Sequence, residues 1–162
     1  MKHLILFGIM WLCGLMTVVA QNVPQVIPAL QQWKPAKGKM VLPESGKVII
    51  SSDEEGALKQ SAEILVQDLK EMFGWNYRVV IGKQEKGAVF LTLSKPDKTL
   101  GDEGYRMDVR NGVTIEAPTA KGVFWGTRTL LQMIHNQPEG LMRGQATDFP
   151  LYPNRGFMID VA

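Results

Sequence analysis

Side chains able to act as nucleophiles or metal ligands are sparse in this sequence: one Cys, Cys13, and two His, His3 and His135. Cys13 and His3 fall in residues 1–20, where Lys2 and His3 lead into an apolar run that ends at Ala20, before the polar pair Gln21-Asn22. A basic start, an apolar stretch and a small residue before polar chain read as a secretory signal peptide, with cleavage expected after Ala20. The run is barely long enough to span a bilayer and continues into Gln21, Asn22 and Pro24 rather than basic residues, which argues against a membrane anchor. Trp11-Leu12 before Cys13 argues against lipidation there. The exported chain then keeps His135 alone, so thiolate nucleophiles, disulfides and zinc sites of several Cys or His are excluded within it. No metal and no cofactor is expected.

The other candidates have a structural reading beside the chemical one. Asp53, Glu54 and Glu55 cluster where a helix begins, and capping together with the helix dipole accounts for them. His135 sits near a predicted helix C-terminus, where a cation is favoured. Serines have only His135 as a potential base, and no Gly-x-Ser-x-Gly elbow occurs. The run from Lys83 to Lys86 is a charged loop rather than a phosphate cradle. Trp33, Trp75 and Trp125 could stack on sugar rings, but core or interface positions are the expectation, with Trp125 docking its helix against a neighbouring domain.

The chain of 162 residues has 45% hydrophobic and 8% aromatic content, the composition of one folded domain. Its 18 Lys+Arg against 16 Asp+Glu give a net charge of +2, which loss of Lys2 reduces further. No electrostatic footprint for nucleic acid or an anionic membrane exists at that balance.

The elements that must position these residues follow from periodicity. Val26-Ile27, Met40-Val41-Leu42 and Val48-Ile49-Ile50 are short apolar clusters between Pro and Gly residues, and predict three short strands. Ser52-Asp53-Glu54-Glu55 has the spacing of a capping box, and Leu58, Ala62, Leu65, Leu69 and Met72 form one helical stripe to about Phe73, with Gly74 ending the helix in the left-handed conformation. Tyr77–Ile81 and Ala88–Leu93 read as strands, and 94–102 as a surface loop. From Gly104 to Ala117 the pattern alternates around Asn111-Gly112. A two-residue turn would set charged residues beside apolar ones, whereas a three-residue loop, Arg110-Asn111-Gly112, pairs Val109 with Val113 and Met107 with Ile115, with Gly112 left-handed in a bulge. Thr119 caps a second helix to about His135 that buries Val123, Phe124, Leu130, Leu131 and Ile134. Gly122 and Gly126 within it signal close approach of another backbone. The order predicts an α+β fold, a mainly antiparallel sheet with helices packed on one face.

Asp148-x-Pro150 followed by Arg155-Gly156-Phe157-Met158-Ile159-Asp160-Val161-Ala162 resembles the start of the catalytic barrel of glycoside hydrolase family 20, the β-N-acetylhexosaminidases. Upstream, Glu103–Val109, Gly112–Ala117 and Gly122–Gln132 resemble the end of that family's small N-terminal domain, so the motifs cover about Gly104 to Ala162. Similar domains precede O-GlcNAc hydrolase and α-glucuronidase barrels; the Arg-Gly-x-Met-x-Asp-Val-Ala run favours family 20. The resemblance implies three parts: a signal peptide over 1–20, an accessory domain over 21–147, and the start of a truncated (β/α)8 barrel over 148–162. It also implies an exported, periplasmic or secreted, parent enzyme that removes terminal β-linked GlcNAc or GalNAc, with the substrate's acetamido oxygen as nucleophile and an Asp-Glu pair beyond Ala162. No catalytic residue is expected in this chain, and its partners are its own barrel and the glycans that barrel holds.

Arg155 matches the family arginine that binds ring hydroxyls of the terminal sugar, a task suited to a guanidinium fork. Barrel sites form at the C-terminal ends of strands; Arg155 opens its strand and Asp160 lies nearer the end, so Asp160 is a second candidate for substrate binding. Without the resemblance, Arg155 reads as an interdomain salt bridge. A stand-alone carbohydrate-binding module is the alternative from another class, and it requires exposed aromatics on one sheet face.

Overall fold

Among the described residues, the alternation of buried and exposed positions resolves into seven strands and two helices. The structure is a computed structural model that describes residues 23–152 and Gly156. The expected signal peptide with Cys13 and His3, and the two expected sugar-binding residues, Arg155 and Asp160, lie outside the described residues.

The elements are β1 (Gln32–Met40), β2 (Ser45–Ile50), α1 (Glu55–Phe73), β3 (Asn76–Ile81), β4 (Val89–Leu93), β5 (Tyr105–Val109), β6 (Val113–Ala117), α2 (Ala120–Asn136) and β7 (Leu141–Asp148). They build one sheet in the order β1-β7-β5-β6-β4-β2-β3. The β1/β7, β7/β5 and β5/β6 pairs are antiparallel, and β6/β4, β4/β2 and β2/β3 are parallel. The sheet is therefore mixed, which corrects the expectation of a mainly antiparallel one. The reason is the β2-α1-β3 order: a helix between two strands carries the chain back to its starting end, so the second strand runs parallel to the first. Val48, Ile49 and Ile50 in β2 are all fully buried, the continuous apolar pattern of a strand covered on both faces.

Both helices lie on one face. Val48, Ile50, Val89, Leu91, Met107, Val109, Val113 and Ile115 of the sheet join one core with Leu58, Ala62, Leu65 and Leu69 of α1 and Val123, Leu130, Met133 and Ile134 of α2. Each such Val, Leu, Ile or Met side chain contributes about 1.5–3 kcal/mol on full burial. The 82–88 connection returns on the other face, where Gln84 donates to Thr114 at 2.6 Å and Lys47 to Glu85 at 2.7 Å. Lys47 and Thr114 alternate with core-facing neighbours, which places those contacts opposite the helices.

The hairpin register is as expected, with Val109 opposite Val113 and Met107 opposite Ile115. Gly112, however, has φ +158°, outside the left-handed helical region; it must be glycine because a Cβ would stand 2.6 Å from the Ala88 carbonyl oxygen. Gly74 does end α1 in the left-handed conformation, at φ 71°. The capping box does not form: Glu54 is the N-cap without a side-chain cap bond. The Glu54 carboxylate instead accepts from the Leu93 amide at 3.0 Å and the Thr92 hydroxyl at 3.2 Å, tying the helix start to β4. Met72 turns away from the stripe and is 54% exposed, and Phe124 is only partly buried.

Three strands differ from the sequence expectation. Val26-Ile27 is not a strand, Val41 and Leu42 lie beyond the end of β1, and β1 itself runs through Pro35 with a register shift between Pro35 and Lys39, which an edge strand tolerates because one side of its ladder is unpaired. β7, unassigned from sequence, lies between β1 and β5. Gly144 at its centre sits under the Trp33 ring, which leaves no room for a Cβ.

The α2 glycines meet what their spacing signalled. A Cβ on Gly122 would collide with the Gly104 carbonyl oxygen, and one on Gly126 would lie 2.5 Å from Ile115 Cγ2 and 3.1 Å from the Tyr105 ring. Gly122→Ala is accordingly expected to lower the unfolding free energy by about 1–3 kcal/mol in urea denaturation, overpacking outweighing the roughly 1 kcal/mol gained in helix propensity. Gly56→Ala in α1, with nothing within 4 Å of the new Cβ, is expected to raise it by about 0.4–1 kcal/mol. A stabilised Gly122→Ala chain would show that α2 lifts freely off the hairpin.

Candidate domain interface

Thr119 fixes where α2 begins: its hydroxyl oxygen accepts from the Gly122 amide at 3.1 Å, and its proton goes to the Asp102 carbonyl at 2.5 Å. With Gly122 and Gly126 against the hairpin, the helix presents Trp125, Arg128, Thr129 and Gln132 along the flank beside Tyr105 and the end of β7. There the Tyr105 hydroxyl donates to Asp148 Oδ2 at 3.0 Å and lies 2.6 Å from Thr129 Oγ1. Because the phenol has one proton, Thr129 is the donor in the second bond. Asp148 Oδ1 also accepts from the Gln31 amide at 3.2 Å, so one carboxylate joins the approach to β1, strand β5 and the end of β7.

The chain before β1 is strapped along α2. The Gln132 side chain accepts from the Ile27 amide at 2.8 Å and donates to the Ile27 carbonyl at 3.0 Å, while Asn136 donates to the Gln25 carbonyl at 2.7 Å. A concavity of about 150 Å³ results, with Tyr105, Thr129 and Asp148 among its lining and Ile27, Pro28, Trp125 and Phe149 around them. Four large apolar side chains of this region are exposed: Ile27 at 85%, Trp125 at 41%, Leu151 at 66% and Tyr152 at 72%. Arg128 braces the flank: its guanidinium lies 4.7 Å from the Phe124 ring centroid and pairs with Asp68 of α1. An apolar patch rimmed by such polar groups is the form of a protein-docking surface.

The other residues singled out from sequence are dispersed. Trp33 packs partly buried against the core, and Trp75 stacks on Tyr77 at 6.0 Å with Phe73 at 5.6 Å on a tilt. The sheet face opposite the helices carries Arg106, Asp108, Thr114, Glu116, Gln145 and Thr147, and no Trp among the described residues. The flat aromatic platform that a binding module requires is therefore not built there. Asp53 bonds to Ser51, whose hydroxyl holds its carboxyl below the usual range, and Glu55 pairs with Lys59 at 3.9 Å. Arg106 lowers the Asp97 carboxyl in a 2.5 Å pair, and Arg110 does the same for Asp108. His135 lies in the last turn of α2. Among the described residues no group of three or more His, Cys, Asp or Glu could hold a metal, and no helix is long and apolar enough to cross a membrane.

The sequence reading missed the Tyr105–Thr129–Asp148 contact. Its members are 24 and 43 positions apart, and no local pattern marks them; the one available signal was Tyr105 at a core-facing strand position, where a phenol needs a partner.

Residues 23–149 match the family described as glycosyl hydrolase family 20, domain 2. The chain is 30% identical over 135 residues to a lacto-N-biosidase of Bifidobacterium bifidum, a match covering 82% of this chain and 12% of that protein. It is 27% identical over 147 residues to a beta-hexosaminidase of Porphyromonas gingivalis, covering 84% and 18%. The Streptomyces plicatus N-acetyl-beta-hexosaminidase, solved in complex with Thio-NAglucal, superposes with TM-score 0.66 at 26% identity, over 82% of this chain and 27% of that one. The chain thus spans less than a fifth of these curated relatives.

Burial pushes the Tyr77 phenol up to about 12. Tyr105 is raised further, by burial first, against the donated Thr129 bond, with the Asp148 charge adding to the rise. Raised acids contribute stability that is complete below the unfolded value near 10 and is lost as pH rises through the folded value. In an alkaline absorbance titration, two of the three tyrosines are expected to stay protonated at about pH 11 and to ionise together with loss of near-UV circular dichroism. Ionisation of both near pH 10 in the folded chain would contradict the buried contacts.

Proposed function

The chain belongs to glycosyl hydrolase family 20, and on that premise we propose that it is the N-terminal, non-catalytic part of an exported exo-β-N-acetylhexosaminidase. The observation that carries this reading is the match of residues 23–149 to that family's domain 2. In the parent, 1–20 is a signal peptide, 21–147 the accessory domain, and 148–162 the start of a (β/α)8 barrel. The barrel removes terminal β-linked GlcNAc or GalNAc. The substrate's own acetamido oxygen attacks the anomeric carbon, a glutamic acid protonates the leaving oxygen, and an aspartate orients the acetamide, a departure from the two-carboxylate scheme. That Asp-Glu pair lies downstream of Ala162. Arg155 binds ring hydroxyls of the terminal sugar through its paired donors, with Asp160 as the second sugar-binding position. The chain by itself is inactive, and its role is to support the barrel.

The flank of α2 is consistent with that role. Ile27, Trp125, Leu151 and Tyr152 are exposed beside the segment where the chain leaves β7, so a barrel continuing from there would cover them. The likeness to a lacto-N-biosidase favours one variant of this reading, release of lacto-N-biose rather than a single N-acetylhexosamine.

The natural product of the gene is expected to exceed this chain by roughly 250 residues and to hydrolyse an aryl β-N-acetylglucosaminide; activity on an aryl lacto-N-bioside alone would select the variant. A mature product of this chain's size, 18.1 kDa or less, would refute both. Trp125→Ala is expected to destabilise the full-length product by about 1–3 kcal/mol while leaving the 162-residue chain within about 0.5 kcal/mol, as read by thermal unfolding of each. Equal effects in the two would place Trp125 outside the interface.

A further inference from the structure

A second concavity, about 290 Å³, opens between the C-terminal ends of the two helices. Phe73, Trp75 and Ile134 contribute apolar wall; Glu44, His135 and Gln137 are its polar groups. Local structure sets each of them. Gly74, left-handed, turns the chain out of α1 so that Trp75 follows at once, and the Trp75 ring is then fixed by Phe73 and Tyr77. Glu44 is held across from it, because its carbonyl accepts from the Asn76 amide at 2.7 Å. Gln137 caps α2, and its Oε1 accepts from the Met142 amide at 2.6 Å. That bond orients the carboxamide and leaves Gln137 Nε2, a buried donor, without an acceptor among the described residues. With Nε2 turned away from solvent, the carboxamide is a fixed wall of the concavity.

The electrostatics narrow the ligand. The last carbonyls of both helices give this end partial negative charge, and Glu44 adds a carboxylate with no ion pair among the described residues. Anions are disfavoured and hydroxyl or amide donors are favoured. A rigid indole wall and a carboxylate acceptor in the same concavity suit a ring with an apolar C–H face and a hydroxylated edge. The volume lies at the small end of ligand sites, the scale of one ring rather than a long oligosaccharide.

We propose that the concavity at Trp75 is a non-catalytic binding site for one pyranose ring of a neutral glycan, which stacks on the indole and donates a hydroxyl hydrogen bond to Glu44. The site rests on the glycan-hydrolase reading for the source of its ligand, while binding itself needs only this chain. In such a parent it would hold a neighbouring part of the glycan near the barrel.

The test follows the indole N–H signals of Trp11, Trp33, Trp75 and Trp125 in the isotope-labelled 162-residue chain during titration with N-acetylglucosamine and its β1,4-linked disaccharide, with Trp75→Phe assigning the signal. A saturable shift at Trp75 is expected, weakened about tenfold by Glu44→Ala, whose side chain is exposed and whose loss removes a charged acceptor. No shift up to about 50 mM, where a millimolar site is filled, would overturn the proposal. So would a response confined to Trp33 or Trp125, or one unchanged in a folded Glu44→Ala chain. Hydrolysis of an aryl N-acetylglucosaminide by the full-length product with a silent Trp75 would remove this site and leave the hydrolase reading intact. A Trp75 response beside an inert full-length product would do the reverse.

Discussion

Everything on the functional flank depends on how closely the α2 backbone approaches the β5–β6 hairpin. Gly122 against the Gly104 carbonyl and Gly126 against Ile115 and Tyr105 let the helix lie flat on the sheet. That depth brings Thr129 to the Tyr105 hydroxyl, Gln132 to Ile27 and Trp125 to the surface beside the end of β7. Side chains larger than hydrogen at either glycine would raise the helix and part these contacts together. The helix propensity lost at two positions, about 1 kcal/mol each, is the cost of that proximity.

The seam between β6 and β4 divides the sheet into two topological halves. On one side, β1, β7, β5 and β6 pair antiparallel; on the other, β4, β2 and β3 run parallel to β6 and to one another. α1 covers the parallel half and α2 the hairpin, with Arg128–Asp68 joining the helices across the outside. On the opposite face, the antiparallel half presents paired charges such as Arg106–Asp97 and Arg110–Asp108. That half of the face is polar, and exposed apolar surface lies mainly on the helix side, along the α2 flank and at the helix C-termini.

This division bears on the domain's role. Several of its described carboxylates tether or pair, as Glu54 does with β4 and Asp148 with Tyr105, and its tryptophans occupy three separate environments instead of one platform. On the proposed reading, the chemistry of family 20 belongs to the rest of the parent and this domain contributes surfaces. One, on the α2 flank, suits another domain; the other, around Trp75, suits a small ring.

Much of this was legible in the sequence wherever a local pattern specifies a local outcome. The α1 stripe from Leu58 to Leu69, the left-handed Gly74, the Thr119 cap and the Val109–Val113 register each follow from spacing, because side-chain direction repeats every 3.6 residues in a helix and every two in a strand. Trp125, expected from its place between two helix glycines to face outward, is exposed, and the motifs after Gly104 carried the family. Strand pairing was decided by the tertiary structure. β7 carries Gly144 and Ala146 because Trp33 and β5 press on it, so its residues reflect what lies above them rather than β propensity. Ser52 and Glu55 form no capping box: α1 starts with Glu54 as its N-cap, and the Glu54 carboxylate meets two donors of β4, about forty residues on. Periodicity tells which way a side chain points; only the folded chain sets what it meets there, since pairing partners and crossover direction depend on residues far apart in sequence.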